Sequence, residues 1–410
     1  MTLISKKIYV FLVLPLLSVN SDLLAQKQDS GKQNVIIIGE LNGRTNSFDI
    51  MDSNSRDRYF LNSAQIPYKY KIISRTAPVL SFYFIDPFNQ LANNRPNSLI
   101  QYRFYDSEWE LISDLILDKI DFARLVYEES AREIAKSNRS VHILPELLPK
   151  HLSTSICFNC KHPVLKLTAV RQALAYAIDK NAIVDRLLKK RADVARGPFN
   201  SDFDAYESSL NEYKYNPKKA LRILKETGWQ DFNNDAILEN AESNPLRLEL
   251  LYRKGLILDE QLTRWIKINW NQIGIDVQPH PLTYDEIQKR LKTGKFDAVL
   301  LDLQFSEDVA DIERFFAKGS DDNFGGFYDP KIDNYVSLYQ KISNPTQKKI
   351  LLQSIQKIIN DEEPVVFLYF KWLIFNFINR NRVENYLDNS GNFRPVNEWK
   401  NRAETVQRKN

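Results

Sequence analysis

Residues 170–190 read VRQALAYAIDKNAIVDRLLKK. Val170, Leu174, Ala177 and Ile178 recur at three- and four-residue spacing, as do Val184, Leu187 and Leu188. That period gives each of two successive helices one apolar face. Asp179 stands between them, and its carboxylate can accept a backbone N–H of the next turn. The second helix is therefore expected to begin near Lys180. Such a pair must lay its apolar stripe on a sheet or on other helices, so the segments around it decide the fold.

Downstream, strands alternate with helices. Pro217 opens a helix and Gly228 closes it, the usual placing of those two residues. Strands are expected at 246–252, 274–277 and 296–303, with helices at 258–272 and 284–293 between them. The apolar run at 296–303 suits a strand covered on both faces. Strand–helix–strand–helix–strand predicts a parallel sheet with right-handed crossovers. A helix at 346–360 follows, stopped by Pro364. Upstream, strands are expected at 35–39, 68–73, 79–85, 99–105, 141–144 and 155–159, with a helix over 108–126.

The chain has 410 residues, room for two or three domains. Its 43% apolar and 26% charged residues describe a globular protein. A net charge of +4, without basic clusters, does not fit a dedicated nucleic-acid binder. Twelve glycines include no glycine-rich phosphate loop, and His142, His151, His162 and His280 lie too far apart for a histidine-pair metal motif. No nucleophile elbow or paired-carboxylate signature points to catalysis, so no catalytic residue, metal or cofactor is expected.

Lys6 and Lys7 precede an apolar run at 8–19, and Ala25 closes a Leu-Leu-Ala stretch. A basic flank, a short apolar core and a small residue describe a secretory signal peptide at 1–25, cleaved to leave Gln26 first. The run is short of the ~20 apolar residues that span a bilayer. A soluble, exported, periplasmic protein is expected.

The only cysteines, Cys157 and Cys160, form a Cys-Phe-Asn-Cys at the end of a strand. Thioredoxin-like reactivity needs the first cysteine at a helix N-terminus, and zinc needs more ligands than the nearby His162. A local disulfide in an oxidising compartment and two free thiols both remain open. Asp231-Phe-Asn-Asn-Asp235 resembles half an EF-hand loop without its glycine; a solvated acidic loop is expected there.

VRQALAYAIDK, with Gly197-Pro198 after it, resembles the signature of the bacterial extracellular solute-binding proteins of family 5, the oligopeptide- and dipeptide-binding class of ABC importers. Further phrases are similar: DKIDFARL at 118–125, YNPKKALRILKETGW at 215–229, GIDV at 274–277, FGGFYDPKID at 324–333 and DEEPVVFLY at 361–369. The tail at 383–399 resembles the family's closing segment. The resemblance runs from about residue 98 to the end, and the family's long N-terminal phrase "F-x-L-R-x-G-V-K-F-H-D-G" is missing.

The resemblance implies an α/β, periplasmic-binding-protein-like two-lobed fold, of type II or cluster C kind, with a reduced first lobe. On that reading 26–158 plus 371–410 form the first lobe and 159–370 the second. It implies a monomer that captures a peptide or other small solute by hinge closure and presents it to a membrane permease and ATPase. The alternative is a degenerate relative that has lost ligand binding and serves as an interaction or structural protein. In peptide-binding members the strand matching 296–303 is followed by "W-x-x-D", whose aspartate pairs with the peptide's amino group. Aligned on Asp297, those positions are Leu303 and Ser306, so both are changed. A serine cannot neutralise an ammonium; Glu307 or Asp308 could take that place. Leu303, Ser306, Glu307 and Asp308 are thus the ligand contacts expected, and ordinary peptides are expected to bind weakly.

Overall fold

The structure is a computed structural model that describes residues 34–41, 69–76, 79–85, 98–125, 134–136, 138–147, 152–389, 391 and 399–402. The expected signal peptide lies outside them. Among the described residues no helix is long and apolar enough to cross a membrane. Two sheets organise the unit Asn34–Asn410.

The first sheet has seven strands in the order β2-β3-β4-β1-β5-β13-β6. They are β1 (Asn34–Leu41), β2 (Lys69–Thr76), β3 (Val79–Ile85), β4 (Ser98–Tyr105), β5 (Phe122–Leu125), β6 (Val141–Leu147) and β13 (Leu373–Asn379). β4, β1 and β5 are parallel, as a crossover helix between β4 and β5 requires. That helix, α1 (Glu108–Ile116), buries Leu111, Ile112 and Leu115 against Ala123, Leu125 and Phe377. It is shorter than the expected 108–126. Asp118 takes a left-handed conformation (φ 57°) that ends helical winding, and the chain re-enters the sheet at Phe122. Trp399 edges onto the Phe122 ring at 5.6 Å, so the C-terminal segment packs on this sheet.

The second sheet has six strands in the order β10-β9-β11-β7-β12-β8. They are β7 (Leu152–Phe158), β8 (Ala192–Val194), β9 (Arg247–Arg253), β10 (Asp276–Leu282), β11 (Ala298–Gln304) and β12 (Val365–Lys371). All seven residues of β7 are buried. Ile156 and Phe158 enter the core on one face and Cys157 the core on the other. A strand buried on both faces belongs between two helix layers. β7 therefore sits in this sheet, not in the first lobe, where a boundary at 158 would put it. β10 carries Pro279 and Pro281 and pairs only with β9; prolines are tolerated at an edge because no ladder N–H is needed there.

Helices cover both faces. On one side lie α2 (Thr168–Tyr176), α3 (Lys180–Ala182, continuing as a π-helical turn, Ile183–Leu187), α4 (Pro217–Glu226) and α5 (Ile257–Asn271). On the other lie α6 (Tyr284–Lys292), α7 (Val309–Phe316), α8 (Pro330–Lys341) and α9 (Pro345–Glu362). The sequence pattern does not predict α7 and α8; each shows only a short apolar stripe, Val309/Ile312/Phe316 and Ile332/Val336.

The stretch at 170–190 acts as a set of clamps. Arg171 is 2% exposed and its guanidinium donates to the carbonyls of Leu165 (2.7 Å), Glu362 and Glu363 (3.3 Å). The last two are end carbonyls of α9, which have no partner within the helix, and a buried cation stabilises them. Asp179 accepts from Ala182 N at 2.9 Å, the expected cap. Lys180 Nζ, buried, donates to the carbonyls of Ala195 and Phe367 at 3.0 and 3.1 Å.

Candidate functional site

β9, β10 and β11 are mutually parallel, and β11 and β12 both run antiparallel to β7. Four strands therefore end on one side of the sheet, at Arg253, Leu282, Gln304 and Lys371. The chain passes between the sheets on that same side, from Leu147 to Leu152 and from Lys371 to Leu373. Carboxyl strand ends facing such a crevice are where open α/β sheets bind ligands.

This end of the sheet holds a buried ionic cluster. Lys371 Nζ donates to both oxygens of Asp302 at 2.7 and 2.8 Å, and Thr154 Oγ1 to one of them at 2.7 Å. Arg253 bridges the two acids, reaching Asp259 at 2.8 and 3.2 Å and Asp302 at 3.1 Å. All four charged side chains are 4–8% exposed. Burial would raise the Asp302 carboxyl, but Lys371 and Arg253 outweigh it and hold it well below the usual carboxylate range. Two cations against two anions leave the buried cluster neutral, the condition under which such charges are tolerated. A signal for it stands in the sequence: a lone acid in AVLLDLQ and a lone lysine in VVFLYFK, each in a strand otherwise fit for burial.

The turn after Arg253 touches the first sheet's helix. Glu108 N donates to Gly255 O at 2.9 Å, and the Glu108 carboxylate accepts from Ile257 N, at the start of α5, at 3.2 Å. Gly255 has φ +81°, and a Cβ there would lie 2.6 Å from Asp106 O. Only glycine meets both demands.

Of the residues expected from sequence, Ser306, Glu307 and Asp308 follow the carboxyl end of β11 and so lie at the end of the sheet where the four strands finish. Each also has a local partner. Ser306 N and Oγ donate to Asp311 at 2.7 and 2.6 Å. Glu307 accepts from Ala205 N at 2.7 Å, and Asp308 caps α7 through Ala310 N at 3.0 Å. Leu303 is elsewhere. It is 4% exposed, packs in the core under α7 and lines a small cavity of about 20 Å³ with Cys157, Phe315 and Phe316. Strand alternation explains this, since Leu303 and Asp302 face opposite sides.

Cys157 and Cys160 are both thiols, not a disulfide. Cys157 is buried in the core and Cys160 Sγ turns toward Phe158 O at 3.8 Å. Burial pushes both thiols up, Cys160 to about 11, which leaves little thiolate for exchange. For a metal, the described residues offer one group, Asp231, Asp235 and Glu239, before the amino end of β9 and so at the opposite end of the sheet from the ionic cluster.

A family model described as bacterial extracellular solute-binding proteins, family 5 Middle, matches residues 95–323. Heme-binding protein A of Haemophilus influenzae is 25% identical over 220 residues, 51% of this chain and 37% of that protein. Oligopeptide-binding protein AppA of Bacillus subtilis is 26% identical over 221 residues, 52% and 40%. The dipeptide-binding protein of Escherichia coli is 23% identical over 310 residues, 69% and 55%. The chain thus spans about half the length of the curated relatives it matches, or less. Among solved structures, Bacillus subtilis AppA in complex with a nonapeptide superposes with a TM-score of 0.68 at 21% identity, covering 82% of this chain and 66% of that one. NikZ from Campylobacter jejuni in complex with Ni(L-His) gives 0.67 at 24% identity, covering 81% and 67%. The two-sheet architecture is theirs, and the matched model covers more than half of this sequence: the chain belongs to the bacterial extracellular solute-binding proteins of family 5.

Proposed function

We propose that the protein is an exported receptor that takes a peptide or another small solute between its two sheets and delivers it to the permease and ATPase subunits of an ABC-type importer. The observation that carries this is the convergence at one end of the second sheet of four carboxyl strand ends, the buried ionic cluster and both chain crossings. A ligand seated there touches both sheets, and two units joined by short crossings can close on it by hinge bending. The sheets suggest lobes of about 152–371 and the remainder. Ser306, Glu307 and Asp308 stand at the rim as solute contacts.

The ligands named for the relatives, heme, dipeptides, oligopeptides and nickel–histidine, support a small solute without fixing which. The basic flank and short apolar run before Ala25 support export with Gln26 as the mature N-terminus.

Native mass spectrometry of protein recovered from the periplasm should show one co-purified small molecule per chain. Calorimetry with di- to pentapeptides, heme and nickel–histidine should then identify its class. Protein recovered empty, giving no heat with any of these, would count against the reading.

A further inference from the structure

Leu256 belongs to the turn that follows β9, yet it packs in the other sheet's core. It is 2% exposed, among Leu111, Ile112 and Leu115 of α1 and Phe377 of β13. Further along α5, Leu262 and Ile266 return to the core of their own sheet. Two hydrogen bonds close around this plug. Glu108 N donates to Gly255 O at 2.9 Å, and Ile257 N donates to the buried Glu108 carboxylate at 3.2 Å. Leu256 precedes α5 and has no side-chain oxygen to cap it. An acid from the other sheet's helix therefore satisfies the first N–H of α5, where the helix favours negative charge.

We propose that Gly255, Leu256 and Glu108 form a third, non-covalent joint between the two sheets, and that they are positioning residues for solute binding because they restrict closure to one axis. This rests on the reading of the sheets as lobes that close on a solute. The two chain crossings meet the second sheet at β7 and β12, which are neighbours. Attachment at that one place lets two bodies bend and also twist. The plug stands beyond β9, three strand spacings from β12 in the order β9-β11-β7-β12, or roughly 14 Å. Two bodies held at two separate points turn only about the line through them. The buried ionic cluster spans that line. Lys371 adjoins a crossing, Arg253 stands two residues before Gly255, Asp259 lies in the first turn of α5, and Asp302 joins Lys371 to Arg253. The cluster therefore keeps the two attachments at a fixed separation. The joint persists as the lobes move, since withdrawing Leu256 exposes its side chain, leaves a hole in the first sheet's core and strips Ile257 N of its acceptor.

The test uses the full chain without solute, so it reads the joint whether or not the receptor assignment holds; a solute sought and not found bears on that assignment alone. In wild type, hydrogen exchange followed by NMR should be as slow at the Glu108 and Ile257 amides as in β7. Spin labels on S113C and N334C, at exposed positions of α1 and α8, report the distance between the lobes in a C157A/C160A background. Leu256→Ala should broaden that distance distribution about twofold, because one of the two attachments is lost. Leu111→Ala opens a cavity in the same core from within the first lobe, and should leave the width as in wild type. Glu108→Ala should speed exchange at Ile257 roughly tenfold, and Glu108→Gln, which keeps an acceptor, should restore it. Exchange at both wild-type amides as fast as in an open loop overturns the proposal. So does a distribution that stays narrow in L256A, or that broadens equally in L111A.

Discussion

Lys371 Nζ sits 2.7 and 2.8 Å from the two carboxylate oxygens of Asp302, and both side chains are almost fully buried. One residue ends β12 just before the chain crosses to the other sheet; the other lies on β11, two strands away, across β7. The pair ties together the end of the sheet at which the solute is proposed to bind.

Removing one member strands the other. Lys371→Met should cost about 3–5 kcal/mol, because Asp302 keeps its burial and loses its nearest cation. Replacing both, as K371M with D302L, should cost less than the single change. Urea unfolding of the three proteins decides it; a single variant as stable as wild type would show that Arg253 alone satisfies Asp302. Acid should act in the same direction. The folded-state carboxyl lies below its unfolded value, so its contribution is present above the ordinary aspartate range and lost as pH falls below it.

Glu363 predicts the opposite slope. It follows α9 in a left-handed conformation, φ 45°, and is 3% exposed. Burial raises its carboxyl to about 8, with Lys180 and Arg171 pulling it back only in part. A carboxyl raised in the folded state favours folding while protonated, and that contribution is lost as pH climbs toward the folded value. Between about pH 5 and pH 8 wild type should therefore lose more stability than Glu363→Gln. Parallel stability–pH curves for the two proteins would refute this.

Much of the fold can be read from pattern. The helix pair in 170–190 with its Asp179 cap, the helix bounded by Pro217 and Gly228, and the β9–α5–β10–α6–β11 alternation follow from period and capping, which are local. What cannot be read is what depends on partners distant in sequence. Asp302 and Lys371 look anomalous in their strands, yet nothing local names Arg253 or Asp259 as their company. Alignment makes Leu303 a ligand contact, whereas the face it occupies follows from the sheet's register. A boundary at 158 divides β7 from its sheet because a crossing phrase marks where the chain passes between sheets, not which ladder the strand joins. α7 and α8 each bury only a narrow apolar stripe, Val309/Ile312/Phe316 and Ile332/Val336, and the acidic and aromatic residues around them read as loop.

The cysteines give a chemical test of burial. In folded, non-reduced protein both Cys157 and Cys160 should be thiols, and both should react with a bulky disulfide reagent far more slowly than after unfolding in urea. Cys160, half-buried and lower in pKa, should react first. Rapid native reaction of Cys157 would contradict its place in the core.

The last prediction separates two roles for the loop after β11. Glu307 accepts from Ala205 N, and Ala205 is 3% exposed, so Glu307→Ala should leave a buried donor unmet and cost about 1–3 kcal/mol. Glu307→Gln keeps the acceptor and removes the charge, so stability should be nearly unchanged. Asp308→Asn likewise keeps an acceptor for the start of α7. If the acids serve only the fold, E307Q/D308N binds the co-purified solute as wild type does. If they also meet a charged group on the solute, the double variant stays folded and binding weakens roughly tenfold or more. Denaturation and calorimetry on the same preparations therefore read the two roles independently. We expect loss of binding with stability retained; unchanged affinity in the double variant would remove these residues from the site.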